Sequence, residues 1–551
     1  MSALSAALDE GRRAFSDLRP VERWLITLFL FVWIATLPVL FHAYSRLNPS
    51  PDQSIFDYIA WLASQGLAPY RDSFEVNWPG KILIHWLAQS VFGPEPGAFR
   101  TFDYILMQAA TLVGAAMLWR NGLRVGAACL LAINPAIYVT SGYWMAGQRD
   151  IVAAEILLIA CFALAGPRRS QAGLAAAGAL MAFAVAIRPT YLAFLAGVLV
   201  LEAIWQPSPA RVPIRLKAIA LIAAGAVSTI LLFVASGLAQ GSLGAWYDDS
   251  IRYVLDCYAS GPPPQSMTGV PVALFFGSWH WIVGGAIGGI ICWVVRPDLN
   301  RFLFMLVLGA MATFALSFIV QKKGFGYHLA GMLPFLVLLY AILVDTLARS
   351  ASDRAATRPW FGPWHRIAAP VLWFALLAVL AVGAAGTALK LRNNLQADWR
   401  SPLPVAMNPV EDDSCESEAA AQSAATYIAA SVSPHEYILP VNCGYRAAYL
   451  AKRLPASRFA TSTAFGDRQR ACSLGSRFMD IYTDDIRARK PALILVWSKN
   501  FDAKAERPSP LGDVSASERR VAQVANNYQK VAAFGSLLIF KRDADAPAGR
   551  R

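Results

Sequence analysis

The sequence predicts a mostly α-helical, polytopic membrane bundle of about eleven spans, followed by a small C-terminal α/β domain. Three observations lead there. Hydrophobic residues make up 56% of the 551 positions and charged residues only 15%, far from the balance of a soluble globular domain. The apolar residues gather in blocks of about 20, the length a helix needs to cross a bilayer. Past residue 390 the blocks stop, and short helix-like and strand-like patterns alternate instead.

The blocks fall at roughly 24–44, 99–119, 125–143, 150–166, 172–187, 190–206, 218–237, 273–295, 302–320, 329–348 and 367–389. No small-residue cleavage site follows the first, so it reads as a retained helix and not as a removed signal peptide. The fifth and sixth are short and meet at Arg188-Pro189. Lys and Arg orient the bundle. Arg12, Arg13, Arg19 and Arg23 fall on the same side as Arg120, Arg124, Arg168, Arg169, Arg211, Arg215, Lys217, Arg296, Arg301, Arg349, Arg354, Arg358 and Arg366. The opposite loops are poorer in both residues, so the basic side is cytoplasmic. An odd number of spans then places residues 390–551 outside the cytoplasm. The division expected is a transmembrane domain over 1–389 and a soluble domain over 390–551. The net charge of +13 resides largely in these clusters between apolar blocks, which makes it a topology signal and argues against nucleic-acid binding.

Of the seven cysteines, Cys129, Cys161 and Cys292 lie in apolar runs and read as buried thiols. Cys257 stands alone in a loop. The spacing of Cys415, Cys443 and Cys472 fits no zinc template. In an extracytoplasmic domain the simplest arrangement of those three is one disulfide and one free thiol, with the pair left open.

Three segments face the outer side: a loop at 45–98, a loop at 238–272, and the C-terminal domain. In the first loop, 55–64 and 82–92 read as short amphipathic helices lying along the membrane surface. In the tail, 416–432 and 446–453 are helix-like, while 437–441, 493–497 and 537–540 are strand-like. The tail has no Gly-rich phosphate loop and no metal-type carboxylate cluster, and Asp484-Asp485 reads as a solvated helix face. The bundle shows no inverted repeat of the kind many transporters carry.

The chemistry concentrates in the first loop, where Asp52, Asp57, Asp72 and Glu75 sit among apolar and aromatic residues. Carboxylates near a membrane surface are costly unless paired or solvated, so their clustering points to function. The plainer alternative is helix capping, and Asp52 suits a helix starting near Ser54. His85 and His280, each alone among apolar residues, read as structural.

The pattern Asp52-x-x-x-Phe56-x-Tyr58-Ile59-Ala60, Gly66-x-x-Pro69-Tyr70-Arg71-Asp72, Pro79-Gly80 and Phe92-Gly93 resembles the first periplasmic loop of bacterial GT-C glycosyltransferases, in particular the protein mannosyltransferase and aminoarabinose transferase group. Gln148-Arg149-Asp150, Arg188-Pro189-Thr190, Gln321-Lys322-Lys323-Gly324-x-Gly326-Tyr327-His328 and Leu454-Pro455-Ala456-Ser457-Arg458-Phe459 agree with it, so the resemblance covers nearly the whole chain. It implies an inverting enzyme of the bacterial inner membrane. Such an enzyme moves a sugar from a polyprenyl-phosphate carrier to an envelope lipid, glycan or protein, with the loop aspartate as its essential acid. A loop like 238–272 often covers the substrate cavity in this group. The family often has a second acid directly after the loop aspartate. Here that position is Gln53, which leaves Asp52 alone and weakens any case for a metal in the loop.

The reaction sets its own requirements. A lipid phosphate is already a competent leaving group, but an acceptor hydroxyl needs a base to take its proton. In-line displacement holds that base and the phosphate on opposite faces of the sugar. Asp52 is therefore the candidate base. Lys322, Lys323, Tyr327 and His328, with Arg188, are the candidates for the phosphate side. For the two lysines the alternative is snorkelling to the interface. Asp150 is a second candidate acid, orienting the acceptor or binding a divalent cation. Its alternative is a helix-capping pair with Arg149. Asp72 and Arg149 complete the substrate-binding candidates. Two other functions fit the composition: a transporter or flippase of a lipid-linked precursor, and a non-catalytic envelope assembly protein. The first would need charges deep inside several spans, and the acids and bases here gather at span ends.

Overall fold

The computed structural model describes residues 18–352, scattered positions between 371 and 389, and residues 418–543, apart from 46, 48, 96, 143, 167–168, 205–211, 260–265, 275–278, 297, 442, 460–472 and 498–526. Helices α1 (Pro20–Ser45), α2 (Pro51–Ser64), α3 (Pro79–Phe92), α4 (Ala98–Arg120), α5 (Arg124–Thr140), α6 (Arg149–Ala165) and α7 (Gln171–Ile187) come first. After a 3-10 turn at Pro189–Tyr191 follow α8 (Leu192–Ile204), α9 (Val212–Ala239), α10 (Leu243–Tyr247), α11 (Gly269–Leu274), α12 (His280–Val295), α13 (Arg301–Gln321) and α14 (Leu333–Ser352). Each of the first ten expected spans thus contains a helix. The eleventh, 367–389, lies largely outside the described residues. Among the described residues, five helices are long and apolar enough to cross a membrane: Pro20–Ser45, Ala98–Arg120, Pro213–Ala239, Arg301–Gln321 and Gly326–Ser350. The remaining apolar helices are shorter and pack among them.

Small residues set the tightest helix crossing. The glycine and alanine face of α7 lies directly on α9, where a Cβ at Gly178 would land on the Ile222 carbonyl and one at Gly225 on the Ala175 carbonyl. Lipid tails are as apolar as leucine, so such backbone proximity, and not hydrophobic exclusion, drives helices together in a bilayer.

The first outer loop is helical where expected, but both helices start earlier, at Pro51 and Pro79, because proline at the first helical position loses no hydrogen bond. Ser50, not Asp52, caps α2. Its hydroxyl accepts from the Gln53 amide nitrogen, and the Gln53 side chain accepts from the Ser50 nitrogen in return. Asp52 is therefore not spent on capping.

The second outer segment, expected as a loop, is helical over much of its described length. After α10 the chain continues through π-helical turns at Asp248–Arg252 and Val254–Tyr258, with Tyr253 and Cys257 buried. The Pro262–Pro264 run lies outside the described residues.

In the C-terminal part, α15 (Glu418–Ser431), β1 (Ile438–Val441), α16 (Tyr445–Leu450), α17 (Ser473–Arg489), β2 (Leu493–Trp497), β3 (Tyr528–Phe534) and β4 (Leu537–Arg542) build a sheet of order β1-β2-β4-β3. β1 and β2 are parallel, and β4 runs antiparallel to both β2 and β3. The sheet core merges with the first loop on two sides. Tyr58, Trp61 and Leu62 of α2 pack with Ile428 and Tyr449, while Phe74 packs with Phe459 and Phe478. The Phe74 nitrogen donates to the Arg458 carbonyl at 2.8 Å, and Tyr58 Oη to the Arg453 carbonyl at 2.8 Å. The segment 454–459 is thus a docking strap. Asp485 belongs to it and does not form part of a solvated face: it accepts from Ser457 Oγ at 2.8 Å, while Asp484 stays exposed beside Arg487. Arg458 also pairs with buried Asp249, tying the strap to the second outer segment.

Cys257 and Cys443 are both disulfide-bonded, so Cys257 is not the solitary loop thiol expected from the sequence. Cys129, Cys161 and Cys292 are free; Cys129 and Cys161 are buried as expected, whereas Cys292 is only half-buried. Cys415 and Cys472 lie outside the described residues.

The α7–α9 crossing yields a stability prediction. Gly225→Val should force the two helices apart at a cost of about 1–3 kcal/mol, lowering the melting temperature in detergent. The same change at Gly197, which has nothing within 4 Å of its Cβ position, should leave it nearly unchanged.

Candidate active site

Two neighbouring residues at the start of α6 point into different partnerships. Arg149 reaches Asp52 at the start of α2, Nη2 to Oδ2, at 3.3 Å. Asp150 pairs with Arg188 at the helix break, 3.0 Å away, and also accepts from the Tyr191 hydroxyl. Arg188 in turn donates to Gln321 Oε1 at 2.7 Å. Gln321 donates to Ser317, whose hydroxyl lies 2.7 Å from that of Thr190. The Arg149–Asp150 capping pair weighed from sequence is thus not formed. Successive residues on a helix point about 100° apart, so one side chain faces the loop and the other the bundle.

The turn leading into α6 is pinned from several directions. Gln53 and Arg100 both donate to the Ala146 carbonyl, at 2.9 and 3.0 Å. Buried Lys81 donates to the Gly147 carbonyl at 2.9 Å, and the Gly147 nitrogen donates to Tyr138 Oη at 2.9 Å. Gln148 donates to Ser50 Oγ at 2.9 Å. Gly147 has φ +74°, and a Cβ there would sit 2.9 Å from Gln53 Nε2. Gln53 therefore serves as a tether from α2 to this turn.

Exposure separates the two acids. Asp52 keeps 26% of its side chain open, enough to meet a ligand. Asp150 is fully buried, with one oxygen shared by Arg188 and Tyr191, so it does not fit the role of a base or of a divalent-cation ligand. Its place is that of a positioning residue for Arg188. Among the described residues, no three His, Cys, Asp or Glu side chains come together as a metal site would require.

The segment after α13 splits up. Lys322 adopts a left-handed conformation, φ +50°, at the helix end, and its side chain is exposed, as snorkelling would have it. Lys323 turns inward: Nζ donates to the Tyr258 carbonyl at 2.7 Å and lies 3.8 Å from the Tyr258 ring centroid. Tyr327 is buried, stacked between Trp144 and Phe325, and His328 packs edge-on against it. Tyr258 and Tyr327 both lie within electrostatic reach of Asp52, Arg149 and Arg188, which places these groups around one site.

Glu75 joins that site. It is buried, accepts from the Asn77 backbone at 2.8 Å, and feels Arg149 and Asp52. Burial pushes its carboxyl up to about 7. Asp72 stands apart: it accepts from the Ala68 nitrogen at 2.7 Å and pairs with Arg71 at 2.7 Å, which closes the turn after α2. Asp57 is also structural, 2.7 Å from His85 Nδ1 and 3.8 Å from Arg446. Tyr191 and Tyr258 had no sequence signal, since single tyrosines in apolar or loop segments carry none. At the other end of α2 an apolar groove of about 700 Å³ opens between α3 and α9, lined by Leu67, Leu83, Trp86, Leu232, Phe233 and Trp246.

This arrangement sits on a known architecture. The crystal structure of ArnT from Cupriavidus metallidurans bound to undecaprenyl phosphate matches with a TM-score of 0.56, covering 96% of this chain and 99% of that one at 13% identity. The apo state of the same protein matches at 0.54, covering 93% and 98% at 12% identity. The fold is of the GT-C type. No family model matches the sequence, and no curated protein matches it. The structural match runs nearly end to end in both chains.

The Asp150–Arg188 pair makes a prediction that separates positioning from chemistry. Asp150→Asn leaves a buried guanidinium unpaired and should cost about 3–5 kcal/mol. The melting temperature of the purified protein should fall sharply, and Asp150→Asn combined with Arg188→Gln should regain part of the loss.

Proposed function

We propose that the chain is an inverting glycosyltransferase. It transfers a sugar from a polyprenyl-phosphate donor to an envelope lipid, glycan or protein acceptor on the outer face of the bacterial inner membrane. The observation that carries this reading is the pairing of partly open Asp52 with Arg149, both within electrostatic reach of Tyr258, which also feels Arg188 and carries Lys323. The GT-C fold, in a neighbour bound to undecaprenyl phosphate, supports the donor class.

In this reading Asp52 takes the acceptor hydroxyl proton as the oxygen attacks the anomeric carbon. The bond from that carbon to the phosphate oxygen breaks, and polyprenyl phosphate leaves with the electron pair. Arg149, Arg188 and Lys323 hold the phosphate. A carboxylate paired with a guanidinium is a weak base. The incoming phosphate competes for Arg149 and so frees Asp52 for catalysis only when donor is bound. Glu75, largely neutral below about pH 7, keeps a second negative charge away from the phosphate. Asp72 has no part in this scheme, and Tyr327 and His328 wall the site without contacting the reacting groups. Tyr258 carries Lys323, so the π-helical segment 248–258 covers the phosphate side.

Sidedness has two independent supports. The Lys and Arg clusters mark one end of the bundle as cytoplasmic. Disulfides at Cys257 and Cys443 belong to an oxidising compartment, which supports a periplasmic position for the second outer segment and the tail domain in this reading.

Asp52→Asn should reduce sugar transfer by about 10²-fold or more, the scale of losing a general base. Membrane insertion should be unchanged and the melting temperature should fall only slightly, because Asp52 neither caps α2 nor lies in the core and an Asn oxygen can still accept from Arg149. A fully active Asp52→Asn protein would remove the base from the scheme.

A further inference from the structure

At the end of the bundle remote from Asp52, a cavity of about 690 Å³ opens where five helices meet. It lies one length of α6 away, about 24 Å for its 17 residues. The ends of α4 and α6 and the starts of α7, α9 and α13 enclose it. Its walls are of two kinds. Leu164, Leu174, Ile214 and Leu221 form an apolar floor, and Arg120, Arg169 and Lys217 supply three cations with no lining carboxylate among the described residues.

The three cations are not equivalent. Arg169 donates to both oxygens of fully buried Glu202 and is thereby neutralised and fixed. Arg120 lies over the Phe162 ring, 4.6 Å from its centroid, and is exposed, as is Lys217. Neither has an ion-pair partner among the described residues. Two uncompensated positive charges thus face a cavity whose floor continues onto α9, a span with only 17% of its apolar window buried against protein. A soluble anion would satisfy the cations and leave the apolar floor wet. A bare acyl chain would do the reverse.

We propose that this cavity binds an anionic phospholipid of the adjoining leaflet. The phosphodiester lies between Arg120 and Lys217, with Asn121 at its rim, and the acyl chains run along Ile214 and Leu221. Basic pockets between transmembrane helices suit anionic headgroups, and each cation near the surface contributes about fivefold in affinity. The site is separate from the Asp52 site and does not depend on its assignment.

The test uses the full-length protein, delipidated in detergent, with melting temperature and native mass spectrometry as readouts. Dioleoylphosphatidylglycerol should raise the melting temperature and remain bound through desolvation, and dioleoylphosphatidylcholine at the same concentration should do neither. Removing both cations in Arg120→Gln/Lys217→Gln should weaken phosphatidylglycerol binding about 25-fold, two fivefold steps. Arg23→Gln, a basic residue of the same end outside the cavity, should leave binding unchanged. Both positions are exposed, so the double variant should fold, and its melting temperature without lipid checks that. Equal stabilisation by the two lipids, full binding by the double variant, or an equal effect from inorganic phosphate alone would overturn the proposal.

Discussion

The crossed pairing at the start of α6 is the interaction on which the rest of the site depends. Had Arg149 and Asp150 satisfied each other, they would have formed a local cap and left both Asp52 and Arg188 without charge partners. Because they diverge, Arg149 links the first outer loop to the bundle and Asp150 secures the broken helix at Pro189. One dipeptide thereby holds together α2, α6 and the α7–α8 junction, three elements far apart in sequence.

That arrangement is expensive and is stabilised from outside. A carboxylate buried within the bundle persists only with a cation and further hydrogen bonds. Asp150 has Arg188 and Tyr191, and Arg188 extends the chain to Gln321 and Ser317. The turn 145–148 is held by Gln53, Lys81, Arg100 and Tyr138 from four different helices, so Arg149 is presented in one orientation. The tail domain contributes at a distance. Its strap docks on Phe74, and Arg458 grips Asp249 in the segment whose Tyr258 positions Lys323.

The helical bundle was legible because apolar blocks of bilayer length are a strong signal, and ten of the expected spans do contain helices. Strands Leu493–Trp497 and Leu537–Arg542 were legible as β-rich runs. α17 and β3 were not: α17 is polar along most of its length, and β3 alternates only weakly, with its outer residues exposed. Within the site, Asp52, Arg149 and Arg188 stood out because charges at span ends are conspicuous, and Lys323 followed from the same reasoning. What sequence spacing did not reveal was partner choice. It weighed Arg149 with Asp150 as an alternative pair, grouped Lys322 with Lys323, and counted Asp72 among the substrate-binding candidates. At Arg149-Asp150 helix geometry turns adjacent side chains apart, and at Lys322 the left-handed end of α13 separates it from Lys323. Gly147, Gln53 and Lys81 carry no chemistry of their own, and their role emerges only from the contacts of one turn.

The most direct test of the account is a structure of the full-length protein with bound undecaprenyl phosphate. The account places the phosphate between the guanidinium groups of Arg149 and Arg188 and the Nζ of Lys323, with Arg149 drawn off Asp52. A phosphate seated elsewhere, for instance beside Arg71 at the mouth of the groove between α3 and α9, with the Asp52–Arg149 pair intact, would contradict it.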